Sequence, residues 1–183
     1  MEIAQFDRSK TWTVEDYLQL EEGLLAQLIE GTLVMSPAPT LNHQRVVRRI
    51  YDMLRDVTTS GELVFSPIDL YIDDLTVLQP DLVFVADDQK EILVPKGIEG
   101  APYLVIEVLS PSNSFIDRNT KKKLYLDFGV KEYWMVDPAN RTLEAYTPDS
   151  LDTPHLYLID SGSVTSSIFP DRSFEFANVF KYD

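Results

Sequence analysis

The 183-residue chain contains no cysteine and only two histidines, which excludes disulfide staples, thiolate nucleophiles and Cys- or His-rich metal motifs. A chain without cysteine suits a reducing compartment. Glycine is sparse, at 7 residues, and no Gly-rich phosphate loop or nucleophile elbow occurs, so nucleotide-driven and covalent serine chemistry have no support. No apolar run approaches the roughly 18 residues of a spanning helix, and the first ten residues lack an apolar signal core; the expectation is a soluble, cytoplasmic protein without membrane contact. Basic residues are also short: 16 Lys and Arg stand against 30 Asp and Glu, for a formal charge of −14. That balance excludes a surface coated in positive potential, so any contact with nucleic acid must come from a local basic patch. What is present is core material. The 44% of hydrophobic residues, 11% aromatic, can build one domain over residues 1–183, with a core at about 24–138 and a C-terminal β extension at about 139–183.

Element order follows from periodicity. Thr13-Val-Glu-Asp16 has the spacing of a helix N-terminus, and a short helix should run through Tyr17, Leu18 and Leu20 to a stop at Gly23. Leu24 to Ile29 and Thr32 to Met35, joined by Glu30-Gly31, read as a hairpin closed by Pro37 and Pro39. Val46, Ile50, Met53, Leu54 and Val57 recur at helical spacing and predict a long helix from about Leu41 to Val57. Strands are predicted at Glu62 to Phe65 and Ile68 to Ile72. Asp81 to Val85 and Tyr103 to Leu109 are near-continuous apolar runs, as strands covered on both faces require. A second helix is expected from about Asp117 to Phe128, ending at Gly129, and then a strand at Glu132 to Val136. Thr142 to Tyr146, His155 to Ile159 and Ser173 to Phe176 should form a peripheral antiparallel layer. The predicted class is α/β: a central mixed sheet flanked by helices.

Three charged residues stand where charge is costly. Glu107 interrupts an apolar strand, and an unpaired carboxylate there would cost several kcal/mol, so it needs a cation, a metal, a strong hydrogen-bond network or a raised pKa. The competing reading is an edge position facing water or a structural Glu–Arg pair. Asp81 opens the other central strand after Pro80. If the two strands are neighbours the carboxylates repel unless a divalent cation separates them, magnesium or manganese rather than zinc; otherwise Asp81 is a turn residue. Lys121 has Leu124, Tyr125 and Phe128 at +3, +4 and +7, which turns it inward, while Lys122 and Lys123 point to solvent. Its alternative is a lysine snorkelling from the helix boundary. Glu30 sits in a Glu-Gly turn, where exposed carboxylates are ordinary. His43, near the start of the long helix, suits a proton carrier, a phosphate contact or plain packing. Arg45, Arg48, Arg49, Arg118, Lys122 and Lys123 are the candidates for a basic patch, or simply solvated helix faces.

These residues reach a family. Leu28-Ile-Glu-Gly-Thr-Leu-Val-Met-Ser-Pro-Ala-Pro39, His43-Gln-Arg-Val-Val47, Gln79-Pro-Asp-Leu-Val-Phe-Val85, Leu104-Val-Ile-Glu-Val-Leu-Ser-Pro-Ser112, then Asp117, Lys121 and Tyr125, and Gly129-Val-Lys-Glu-Tyr-Trp-Met-Val-Asp-Pro138 span most of the chain. In that order they resemble the PD-(D/E)XK nuclease superfamily and, within it, the Uma-type restriction endonuclease family common in cyanobacteria. The resemblance implies a restriction-endonuclease-like core, with Asp81 and Glu107 as acidic metal ligands, the Val108 carbonyl as a further ligand and Glu30 as a third acidic group. The superfamily places its lysine two residues after the second acid, where this chain has Leu109. The resemblance assigns that role to Lys121 on the following helix, and it implies a homodimer.

The activity so implied is Mg²⁺- or Mn²⁺-dependent hydrolysis of phosphodiester bonds in DNA, in which Lys121 assists the attacking water. His43 would contact phosphate or shuttle a proton. Two other readings stay open: a nuclease-fold binding or regulatory protein without catalysis, and a metal phosphodiesterase acting on small phosphates, which suits the acidic surface better.

Overall fold

The computed structural model describes residues 10–21, 23–58, 60–110 and 116–181. Its centre is a six-stranded mixed sheet in the order β12-β11-β10-β9-β6-β3, built from Leu156–Ile159, Thr142–Tyr146, Glu132–Asp137, Leu104–Val108, Leu82–Val85 and Glu62–Phe65. β9 and β10 run parallel, and the other neighbours are antiparallel. A second six-stranded sheet has the order β2-β1-β5-β4-β8-β7: Thr32–Met35, Ala26–Ile29, Thr76–Leu78, Leu70–Asp73, Gly97–Glu99 and Leu93–Val94. A separate pair joins β13 (Ser163–Thr165) to β14 (Ser173–Glu175).

The apolar runs at β6 and β9 are explained by what covers them. On one face Leu82, Phe84, Leu104 and Ile106 pack under α2 (Leu41–Val57), whose Val46, Ile50 and Leu54 form the inward stripe. On the other face Val83, Val85 and Val105 meet Leu70, Leu78 and Ile98 of the second sheet together with Tyr125 and Leu126 of α3 (Lys122–Phe128). Strands buried on both sides have no polar alternation to display.

The mixed α/β class holds, with three corrections to the detail. The expectation of one sheet misses β5, β7 and β8. β11 and β12 are not a peripheral layer, because they are hydrogen-bonded onto β10 and extend the central sheet. Finally, the second helix is not uniform: Asp117–Lys121 is a single π turn that leads into α3, and α3 ends at Gly129 in the left-handed region, φ 109°. The first helix, α1 (Val14–Tyr17), keeps the expected Thr13–Asp16 capping box but stops before Leu18.

Candidate active site

Strand register places the two acids. Leu82 pairs with Ile106 across the antiparallel β6–β9 ladder, so the next step outward sets Asp81 opposite Glu107. Alternation puts both on the face of Val83 and Val105, toward the second sheet. The Val108 N–H donates to Asp81 Oδ2 at 2.8 Å, which locks the end of β6 to the end of β9. Both acids line one cavity of about 400 Å³ at this end of the central sheet.

Glu107 is 3% exposed, and β9 lies between β10 and β6, so the edge position does not apply. Lys121 Nζ donates to Glu107 Oε1 at 2.9 Å and Tyr125 Oη donates to the same oxygen at 2.8 Å. Lys121 is itself 3% exposed and lines the cavity. A buried carboxylate paired to an ammonium and held by a phenol avoids the penalty of an isolated charge.

His43 closes the other side. Thr40 caps α2 by accepting from the His43 N–H, and the imidazole Nε2 lies 3.1 Å from Asp81 Oδ2. Burial alone would lower the His43 pKa. The Asp81 hydrogen bond and charge, the Val108 backbone and the Glu107 charge outweigh it and hold the ring above the ordinary value of 6.5. Its Nδ1 is buried without a partner among the described residues, which marks a place for water or a ligand atom.

The structure therefore brings together Asp81, Glu107, Val108, Lys121 and His43. It does not bring in Glu30, which is exposed in the β1–β2 turn at φ 49°, outside the cavity lining and near Lys123. The residue that this hairpin sends to the cavity is Gln27, 5% exposed, which sequence reasoning missed; alternation along β1 separates its side chain from the turn. Tyr125 is legible as an apolar helix position and as part of the family pattern, but not as a donor to Glu107.

The six basic candidates do not form one groove either. Arg45, Arg48 and Arg49 belong to α2 on one face of the central sheet, and Arg118, Lys122 and Lys123 belong to the segment on the other. Arg118 is spent on Glu144 and on Asp137 at 3.1 Å, Lys122 lies over the Tyr146 ring at 4.4 Å, and Lys123 pairs with Asp127 at 2.6 Å. Lys122 is thus half-buried, while Lys123 faces solvent as expected.

Residues 14–175 match the family Uma2, described as "Putative restriction endonuclease". The chain belongs to the Uma2 family. An uncharacterized protein of Synechocystis sp., sll1609, is 26% identical over 144 residues, which cover 75% of this chain and 81% of that one. A crystal structure from Anabaena variabilis, titled as "a putative nuclease belonging to DUF820", superposes with a TM-score of 0.76 at 19% identity over 92% of this chain and 97% of that one, so the two share a fold. In this Uma2 chain no three His, Asp or Glu side chains form a ready-made metal cluster among the described residues. The cavity lining offers the Asp81 and Glu107 carboxylates, hard oxygen donors whose chemistry fits magnesium, which retains several waters, better than zinc.

Proposed function

We propose that the chain is a divalent-metal-dependent endonuclease that hydrolyses phosphodiester bonds in DNA. The observation that carries the reading is the convergence of Asp81, Glu107 and Lys121 on one cavity from two strands and the helix that follows them. Asp81, Glu107 and the Val108 carbonyl would hold Mg²⁺ or Mn²⁺, which when bound supplies Lewis acidity to the phosphate and a more acidic water. The chain's own groups do the rest. Lys121 brings an ammonium to the cavity, where it orients the attacking water and offsets charge that develops on phosphate oxygens. His43 holds Asp81 Oδ2 through Nε2 and presents its other ring nitrogen for a phosphate or a proton. A second carboxylate, Asp81, beside a buried Lys121–Glu107 pair is more acid than one amine can offset, and keeping it in the recess argues against a fold that has given up chemistry.

The formal charge of −14 favours a second reading, a phosphodiesterase for small phosphates. Supercoiled plasmid and bis-p-nitrophenyl phosphate, each incubated with Mg²⁺, Mn²⁺ or chelator, separate the two. Plasmid nicking that needs the metal and falls at least about 100-fold in Asp81→Asn, Glu107→Gln and Lys121→Met, with circular dichroism unchanged, is the expected result. Wild-type rates in Asp81→Asn or Glu107→Gln would overturn the metal assignment, and turnover of the small ester alone would transfer the substrate.

A further inference from the structure

Asp81 is held at its side chain by Val108 and His43, and the short segment that carries it is held at two backbone atoms. Ser66 N–H donates to the Asp81 carbonyl at 3.1 Å. Two residues upstream the Gln79 N–H donates to Gln27 Oε1 at 3.0 Å. Pro80, buried between them, has no N–H and a fixed φ, so Gln79-Pro80-Asp81 behaves as a short stiff lever whose upstream end is set by the Gln27 amide. The other end of that amide reaches the cavity wall: Gln27 Nε2 donates to Ser36 Oγ at 3.0 Å. Gln27, Ser36, Gln79 and Asp81 all line the cavity, and Gln27 is 5% exposed. A buried amide with both ends committed belongs to the framework and does not adapt to a ligand.

We propose that Gln27 is a positioning residue of the site, fixing the Asp81 carboxylate relative to Glu107 by clamping the backbone of Gln79 to the Ser36 wall. The inference rests, for its metal arm, on the reading of Asp81 and Glu107 as the metal-binding pair. The network behind it has a natural control. Gln79 Nε2 donates to Asp69 Oδ1 at 2.9 Å and to Tyr17 Oη at 3.3 Å, and the Tyr17 hydroxyl in turn donates to the Ala26 carbonyl at 3.0 Å. Removing the Tyr17 hydroxyl therefore perturbs the Gln79 side chain and a carbonyl beside Gln27, but deletes neither hydrogen bond of the Gln27 amide.

The test uses full-length Gln27→Leu, Gln27→Glu and Tyr17→Phe. The first removes both hydrogen bonds, and the second keeps an acceptor for the Gln79 N–H. Two readouts follow: Mn²⁺ affinity by calorimetry, and the imidazole ¹⁵N shifts of His43 at fixed pH, which report its bond to Asp81 without metal or turnover. With two histidines in the chain, His155→Gln assigns the signals. Gln27→Leu should weaken Mn²⁺ binding at least about 10-fold and move the His43 signals. Gln27→Glu should restore the His43 signals and bind Mn²⁺ no more weakly than wild type, and Tyr17→Phe should leave both readouts unchanged. A Gln27→Leu protein that merely melts earlier, with wild-type His43 shifts and Mn²⁺ affinity, would overturn the proposal. If the wild type neither binds Mn²⁺ nor cleaves, the nuclease reading fails, and the His43 shifts alone then decide the positioning role.

Discussion

His43 has its charged form favoured by the acids around it, and that has a thermodynamic consequence at the scale of one residue. Its pKa is raised on folding, so protonated His43 contributes stability that is fully present below the unfolded value of about 6.5 and is lost as pH rises through the higher folded value. Denaturation in the presence of chelator should show this loss across neutral pH, and His43→Gln should abolish the pH-dependent part; the same slope in both proteins would refute it. Residues of this kind differ in how far they could be read beforehand. Glu107 was legible because a carboxylate among apolar neighbours has few explanations, and Lys121 because helical spacing turned it inward. Gln27 was not legible. A neutral amide in an apolar strand costs little in the abstract, and only its two hydrogen bonds show what it is for. Glu30 is a turn candidate whose site role comes only from the resemblance, and it lies outside the cavity lining.

Elements contribute by delivering those residues at fixed positions. The Thr40 side chain ends α2 at the residue that sets the His43 backbone, so Thr40→Ala should cost about 1 kcal/mol in urea denaturation and also disturb the Asp81 contact. The π turn at Asp117–Lys121 sits where the Arg118 guanidinium grips Glu144 and Asp137, tying the start of the helix to β10 and β11 one turn before Lys121. At the other end of the central sheet Glu132, fully buried, accepts from Trp134 Nε1 at 2.7 Å, Ser166 Oγ at 2.8 Å and Ser167 N at 3.0 Å. This carboxylate staples the C-terminal segment to β10. Glu132→Ala strands those donors and should lower stability by about 3 kcal/mol, read as a shift of the urea midpoint with little change in metal binding. Sequence periodicity identified the strands of the central sheet and α2. It could not see β5, β7 and β8, because two or three residues between turns leave no alternation to count.

Over the whole molecule the distribution of charge decides how a polyanion can approach. The α2 arginines share their face with Asp52 and Asp56, and Arg48 lies 3.5 Å from Asp52. Even so, α2 begins at the cavity through Thr40 and His43, whereas Arg118 of the π turn and Lys122 and Lys123 of α3 are committed to neighbours on the opposite face. Replacing Arg45, Arg48 and Arg49 together with alanine should therefore weaken duplex binding and lower its salt slope by about 2, measured by anisotropy with Ca²⁺ over a salt series. Replacing Lys122 and Lys123 should leave the slope unchanged, and equal losses from the two sets would show that the faces act alike. The Lys121–Glu107–Tyr125 contact has a practical corollary. With its innermost acid already neutralised by the protein's own amine, the polypeptide does not depend on a mineral to assemble. On the proposed metal-dependent chemistry, chelation should leave a folded, dormant particle that regains competence when Mg²⁺ is returned, unlike a zinc finger, which collapses when its metal is taken away.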